Sequence, residues 1–218
     1  DSAAIRDRGN NNTIQGIRAD VGTNKNFLIN NSQSVGGSLI DCWLVPNYTV
    51  EYGNVKYQVA GYGLQIGLNV GTKDKPYRII RSGSKVPLTG GCFYFGGRND
   101  GNTWSTPNFF YGEDLVTGVC LREHSFRCHF VGSGTLIRPR FEQTHEHPLF
   151  TWHMLVKKIA KRGASLNIRD GEDIKIVDPV VAGQQLYGPL ADADGGINIK
   201  PGPERDRMMA LRLKNVSI

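Results

Sequence analysis

The stretch RGNNNTIQGIRADVGTNKNFLINNSQSVGGSLIDCWLV, residues 8–45, decides the fold. Short apolar pieces alternate in it with corners that are rich in asparagine and glycine. Ile14 and Ile29 are fifteen residues apart, and Phe27 and Leu39 are twelve apart. Such spacing is typical of a chain that returns to the same face after each circuit, and corner asparagines can stack as amide ladders. The first 46 residues are therefore predicted to form parallel β-coils.

Two segments of this stretch carry a resemblance to a known family. NNNTIQGI, residues 10–17, followed by NFLINNS, residues 26–32, resembles the Asn-Thr-Ile-x-Gly corner-and-strand unit of right-handed parallel β-helix proteins. Within that family, the glycine- and aromatic-rich remainder is most similar to the distal part of phage tailspikes, with the best match over residues 9–45. The resemblance implies a homotrimer on the virion tail, assembled in the bacterial cytoplasm, that recognises a bacterial surface polysaccharide.

Residues 47–218 are predicted to be mainly antiparallel β-structure. From residue 48 to residue 70, apolar and polar residues alternate, and a Gly-Asn pair interrupts the alternation as a hairpin turn would. In SLNIRDGEDIKIV, residues 165–177, the apolar positions mirror each other across Asp170 and Gly171. That arrangement is typical of a type I′ hairpin.

One segment, near residues 148–162, is predicted to be a short α-helix. Its apolar residues recur at helical spacing, and Pro148 suits the first turn. Four basic residues crowd the last turn, namely Lys157, Lys158, Lys161 and Arg162. Because cations complement the C-terminus of a helix, this cluster has a structural explanation, and we expect no nucleic-acid partner despite a net charge of +6.

The composition limits the kinds of protein that this chain can be. A chain of 218 residues can bury a sizeable core, and 27 glycines indicate many tight turns. No apolar run approaches the ~20 residues that span a membrane, so we expect no membrane insertion. The four cysteines form no CxxC pair, which favours reduced, buried thiols over bridges. The pair of histidines at His145 and His147 lacks a third ligand at a recognisable spacing, and we expect neither metal nor cofactor.

The stretch GGCFYFGGRNDGNTWSTPNFFYGED, residues 90–114, holds seven of the chain's twenty aromatic residues. Its middle is too rich in glycine, asparagine and proline for a strand, so large rings are predicted in a loop. Aromatic rings stack on the apolar C–H faces of sugars, while amides, carboxylates and guanidinium groups bind the hydroxyls. The candidate saccharide-binding residues are Trp104, Tyr111, Arg98 and Asn99. Two alternatives remain, since Trp104 can also lie in a subunit interface or pack against the body of the protein.

Whether the chain is also an enzyme is left open by the sequence. Hydrolysis of a glycosidic bond needs two carboxyl groups, and the candidate catalytic pair in this stretch is Asp100 and Glu113. A polysaccharide lyase is a further possibility, with His124 or His129 as the base beside Arg127. The third class is purely structural: a capsid jelly roll, or a trimerisation domain without a ligand.

Overall fold

The computed structural model of the chain consists mainly of strands, arranged in three parallel sheets and one two-stranded antiparallel sheet. It describes residues 3–20, 26–30, 35–52, 54–66, 70–88, 92–95, 108–118, 126–129, 132–142, 166–182, 197–199, 213–214 and 217.

The chain passes through the three parallel sheets in turn, and one passage through all three is called a coil. Coil 1 contains β1 (Ala3–Asp7), β2 (Thr13–Gln15) and β3 (Arg18–Ala19), and coil 2 contains β4 (Asn26–Asn30), β5 (Ser38–Ile40) and β6 (Trp43–Leu44). The antiparallel pair β7 (Tyr48–Tyr52) and β8 (Val55–Val59) follows. Coil 3 contains β9 (Tyr62–Ile66), β10 (Tyr77–Ile80) and β11 (Gly83–Ser84), and coil 4 contains β12 (Phe93–Phe95), β13 (Asn108–Glu113) and β14 (Val116–Thr117). Coil 5 contains β15 (Phe126–His129), β16 (Gly132–Ile137) and β17 (Arg140–Glu142), and coil 6 contains β18 (Leu166–Glu172), β19 (Ile174–Val177) and β20 (Val180–Ala182). The last strands are β21 (Ile197–Ile199) and β22 (Leu213–Lys214), which both pair with β18.

Equivalent strands of successive coils pair in parallel, so the coils are stacked on one another. The first sheet has the order β1-β4-β9-β12-β15-β18-β21, the second β2-β5-β10-β13-β16-β19, and the third β3-β6-β11-β14-β17-β20. The pairings of β1 with β4, β2 with β5 and β3 with β6 confirm the parallel β-structure predicted near the N-terminus. Strands on either side of residue 46 are neighbours in the same sheets, as β5 and β10 are.

One residue makes each corner between the second and third sheets. In the six coils these residues are Gly16, Asp41, Arg81, Asp114, Arg138 and Asp178, and all have a positive φ, between 45° and 70°. The backbone N–H of each of the first five donates to a carbonyl of the next coil, as in Asp41 N to Ile80 O at 3.0 Å. A left-handed residue turns the chain sharply, and the inter-coil hydrogen bond satisfies the backbone donor of that residue in the first five coils.

The core lies between the three sheets and is built from the inward residues of each strand. On the second sheet, the column of aligned inward residues runs Ile14, Leu39, Ile79, Gly112, Leu136 and Ile176. Gly112 fits because its neighbour Leu136 occupies the space that a Cβ would need. Gly134 plays the same part beside the ring of Phe110. Large and small side chains therefore interdigitate between coils, which allows dense packing.

Two cysteines belong to this core. Cys42 and Cys92 are free, buried thiols that flank one small internal cavity with Phe93. Burial raises the pKa of the Cys42 thiol, so this side chain behaves as a small apolar group. The predicted burial is confirmed for these two residues.

The prediction that residues 47–218 are mainly antiparallel is wrong for the described residues. Strands β9 to β22 pair in parallel, and the predicted hairpin across Asp170 and Gly171 does not form. Both residues lie inside β18, and the chain turns at Asp173, whose φ is 56°. The reason is that β18 and β19 belong to different sheets, so the chain bends around a corner where a hairpin would reverse it. A capsid jelly roll is built from antiparallel strands, so the described residues do not have that architecture.

The hairpin predicted at the Gly-Asn pair is confirmed. Strands β7 and β8 pair antiparallel with Tyr48 opposite Val59 and Tyr52 opposite Val55. The predicted helix near residues 148–162 lies outside the described residues. In the part of the chain that the structure describes, no helix is long and apolar enough to cross a membrane.

Replacement of Gly83 by alanine tests the packing between coils. Gly83 has a φ of 141°, and a Cβ there would collide with the carbonyl oxygen of Val116 in the next coil. We expect Gly83→Ala to lower the free energy of unfolding by about 2–4 kcal/mol, because backbone atoms have to move. Urea denaturation followed by circular dichroism measures the change.

The matched control is Gly16→Asn. Gly16 also has a positive φ, but nothing lies within 4 Å of its added Cβ, and the equivalent corner of coil 2 carries Asp41. We expect Gly16→Asn to lower the free energy of unfolding by no more than about 1 kcal/mol, since asparagine tolerates this conformation. Equal stability of the Gly83 variant and the parent protein would contradict the inter-coil contact.

Candidate functional site

A groove runs across the outer face of the second sheet and is the candidate functional site. It has a volume of about 510 Å³, and we call it the outer groove. Its lining residues come from coils 1 to 4: Asn11, Gly36, Gly37, Ser38, Ile40, Asp74, Lys75, Pro76, Arg78, Ile80 and Tyr111.

Strand alternation places these side chains outside. In β10, Tyr77 and Ile79 are fully buried, so Arg78 and Ile80 project outward. In β13, Phe110 points into the core, and Tyr111 and Glu113 project outward together. Residues two apart in a strand share a face, which is why these pairs line one surface.

Tyr111 is held in place by Arg78 and Glu113, and Glu113 is itself bound by Arg138. The Cζ atom of Arg78 on β10 lies 5.5 Å from the centroid of the Tyr111 ring, which is a cation–π contact. The Tyr111 hydroxyl donates to Glu113 Oε2 at 3.0 Å. On the next coil, Arg138 Nη2 donates to Glu113 Oε1 at 2.8 Å. The pKa of Tyr111 is raised, mainly by desolvation and secondly by the hydrogen bond to Glu113. The phenol therefore keeps its proton and remains a donor.

The corner residues beside the groove form two ion pairs. Arg81 makes two hydrogen bonds to the Asp41 carboxylate, from Nε at 2.8 Å and from Nη2 at 2.9 Å. Arg138 binds Asp114 in the same way, at 2.8 Å and 3.1 Å. The hydrogen bonds from Arg81 and Arg138 lower the pKa of Asp41 and Asp114, respectively. Along coils 2 to 6 the corner charges alternate in sign, and this row is called the corner ladder.

The structure brings together two of the six predicted site residues. Tyr111 and Glu113 lie two residues apart on β13 and are hydrogen-bonded. The other four, Arg98, Asn99, Asp100 and Trp104, lie outside the described residues. Their roles, and those of His124 and Arg127, stay predictions.

Sequence reasoning missed the partners that hold Tyr111, namely Arg78 and Arg138. The signal was present, because both arginines stand at or just after a short apolar strand: RII at residues 78–80 and TLIR at residues 135–138. Aligning these units with SLID, residues 38–41, places Asp41, Arg81 and Arg138 at equivalent corners. Without that alignment the arginines look like ordinary surface charges.

Comparison with known proteins adds no relative to these observations. No family model, no curated protein and no solved structure matches the chain significantly.

The arrangement around Tyr111 is suited to binding. The ring offers a flat surface, the aliphatic side chains of Ile40 and Ile80 provide an apolar floor, and Arg78 and Lys75 add charge. Glu113 already accepts one hydrogen bond on each carboxylate oxygen. A carboxylate engaged in this way orients both the phenol and the guanidinium.

The ion pairs of the corner ladder predict acid sensitivity. Asp41 and Asp114 have a folded pKa below the unfolded value, which is about 3.9 for aspartate. Their contribution to stability is therefore complete above pH ~4 and is lost as the pH falls through the lower folded values. The melting temperature should drop more steeply below pH ~4 in the parent protein than in an Asp41→Asn/Asp114→Asn double variant.

Thermal melts at closely spaced pH values, from neutral to acidic, measure this difference. Added salt should reduce it, because the pairs are exposed to solvent. Parallel curves for the two proteins would show that the ladder does not contribute to pH-dependent stability.

Proposed function

We propose that this chain is part of a right-handed parallel β-helix from a phage tailspike or a similar receptor-binding protein, and that it recognises a bacterial surface polysaccharide. The outer groove with Tyr111 at one end carries the proposal. The parallel stack supports it, because each of the three sheets receives one strand from each coil. A stack of this kind presents a long, regular face, which suits a linear polymer.

The chemistry of the groove suits sugars. Saccharides combine apolar C–H faces with many hydroxyls, so they need flat apolar surfaces next to hydrogen-bonding groups. Tyr111, Ile40 and Ile80 provide apolar surface, and polar partners stand beside them. These partners are Asn11, Ser38, Asp74, Lys75 and Arg78.

The place of the predicted aromatic loop in the chain supports a role for it in binding. The segments that lead into the second sheet line the groove in three successive coils: Asn11 before β2, the glycines before β5, and residues 74–76 before β10. Residues 96–107 are the equivalent segment of coil 4, because they join β12 to β13. We therefore propose that Trp104, with Arg98, Asn99 and Asp100, contacts the same saccharide.

Recognition is favoured over hydrolysis as the role of the described residues. The candidate catalytic residue Glu113 is held by Tyr111 and Arg138, which suits an orienting role. Its partner Asp100 lies outside the described residues, so the separation that governs glycosidase stereochemistry is not defined.

The proposal includes assembly as a homotrimer on the virion tail after synthesis in the bacterial cytoplasm. Coils 5 and 6 carry aliphatic side chains on the outside, Ile137 and Val177 half-buried and Val180 48% exposed. Ile137 and Val177 lie on the second sheet and Val180 on the third, on either side of the corner. Outward aliphatic side chains of this kind are suited to burial against a neighbouring subunit. Because coils 1 to 4 line the groove, an interface at coils 5 and 6 leaves the groove accessible.

Tyr111→Ala tests recognition at the groove. We expect affinity for the cognate polysaccharide to fall by ~1–3 kcal/mol, the range for losing an aromatic contact, with a melting temperature within a few degrees of the parent. Tyr111→Phe is the matched control, since it keeps the ring and removes only the hydrogen bond to Glu113. Screening a panel of capsular and O-antigen polysaccharides by isothermal titration calorimetry identifies the ligand and gives both affinities. Equal affinity of the alanine variant and the parent protein would rule out the outer groove as the polysaccharide-binding site.

Val180→Lys tests assembly. Analytical ultracentrifugation of the parent should give about three times the chain mass of 24.1 kDa, and the variant should dissociate because a charge is buried at the interface. Val55→Lys is the control, since Val55 is similarly exposed at 52% but lies on the hairpin. A monomeric parent protein at micromolar concentration would contradict the trimer.

A further inference from the structure

We infer that the chain has a second saccharide site on its third sheet, specific for a sugar that carries a carboxylate. The site is a cleft of about 280 Å³ around Trp43, called the Trp43 cleft. Its lining residues are Arg18, Trp43, Leu44, Val45, Pro46, Lys85 and Val86. The inference rests on the proposed function for the class of ligand, and on the geometry of the cleft for its location and charge preference.

The floor of the cleft is apolar and includes an aromatic ring. Trp43 projects outward from β6, since the next residue, Leu44, is buried in the core. The aligned position on β11 is Gly83, so no side chain of the next strand stands beside the indole at that register. Val45, Pro46 and Val86 are half-buried and complete the floor. An indole next to a proline presents the flat apolar surface on which a sugar ring can lie.

The rim of the cleft is cationic. The Nζ atom of Lys85 lies 5.0 Å from the centroid of the Trp43 ring, and Lys85 is exposed. Arg18 is fixed by a hydrogen bond from Nη1 to the backbone carbonyl of Asp41 at 2.9 Å. The Asp41 carboxylate is itself bound by Arg81. The described lining residues include two cations and no acid, and this charge calls for an anionic ligand.

The position of the cleft relative to the outer groove favours a saccharide over other anions. Ile40 lines the groove and Trp43 lines the cleft, and only the corner residue Asp41 and Cys42 separate them in the chain. In coil 3, Arg78 and Ile80 line the groove and Lys85 lines the cleft. The two sites thus flank the same corners on adjacent faces. Each combines an aromatic ring with a cation at cation–π distance, so one acidic polymer can contact both.

Binding of defined acidic oligosaccharides to the full chain tests the inference. The probes are tetragalacturonate, its fully methyl-esterified form, and α2,8-linked tetrasialate, titrated by calorimetry at low ionic strength. We expect at least one acidic tetramer to bind, and binding to weaken with added salt. For tetragalacturonate, removal of the charge by esterification should weaken binding about tenfold.

Variants assign the binding to the cleft. Trp43→Ala should weaken binding about tenfold to a hundredfold, and Trp43→Phe should recover part of the loss. Lys85→Gln and Arg18→Gln should each weaken binding about threefold to fivefold, as expected for exposed ion pairs, with unchanged melting temperatures. Lys56→Gln on the hairpin removes one positive charge elsewhere and should leave the affinity unchanged.

Each result separates the cleft from the groove. If neither acidic tetramer binds, or if Trp43→Ala and Lys85→Gln bind as the parent does, the cleft inference is overturned. The groove is judged independently by the effect of Tyr111→Ala on polysaccharide affinity. Loss of tetramer binding in the Trp43 and Lys85 variants supports the cleft even if the Tyr111 variant binds polysaccharide normally, in which case only the groove proposal fails.

Discussion

A single left-handed residue, hydrogen-bonded through its N–H to the next coil, sets the geometry of the corner between the second and third sheets. In each coil the residue directly follows the strand of the second sheet, and one further residue separates it from the strand of the third. Its position therefore fixes which side chains point inward on both sheets. Shifting it by one residue would turn Leu39 or Ile79 outward and expose the core. The inter-coil hydrogen bond also fixes the register of the stack, so the corner determines both the core and the outer surface.

The positive φ of the corner residues is unfavourable for arginine, and ion pairs between the corner side chains offset this backbone strain. Aspartate tolerates a positive φ, whereas arginine seldom adopts it, yet Arg81 and Arg138 occupy these positions with φ of 45° and 49°. Each stands between coils that carry an acid at the same corner, and each makes a two-pronged ion pair with one of them. Like charges at adjacent coils would repel one another. Alternation of sign therefore explains why an unfavourable residue type occurs twice in the ladder.

Part of the fold could be predicted from the sequence, and the failures have a physical cause. The short Asn- and Gly-rich corners of residues 8–45 indicate coils, but the spacing of twelve to fifteen residues is not the coil period. Ile14 and Leu39, which pair on the second sheet, are 25 positions apart, and Ile29 between them belongs to the first sheet. Farther along, the corner residues are 24 to 40 positions apart, and such irregular spacing conceals the repeat. Alternation of apolar and polar residues is the same in parallel and antiparallel strands, so it does not reveal which partner a strand has. The proximity of Tyr111 and Glu113 could be predicted because they are close in sequence, whereas Arg78 and Arg138 come from neighbouring coils.

The hairpin of β7 and β8 shows how such a scaffold can diversify. The chain leaves the stack after Pro46 and returns at Ala60, and the hydrogen bond from Asn47 N to Val59 O, at 3.0 Å, closes the base. Coils 2 and 3 still pair in register across this excursion. Because the chain leaves and re-enters the stack at adjacent points, the length of the segment between them has little effect on the stack. A segment inserted at such a point can therefore change in length or in sequence while the coils on either side keep their register.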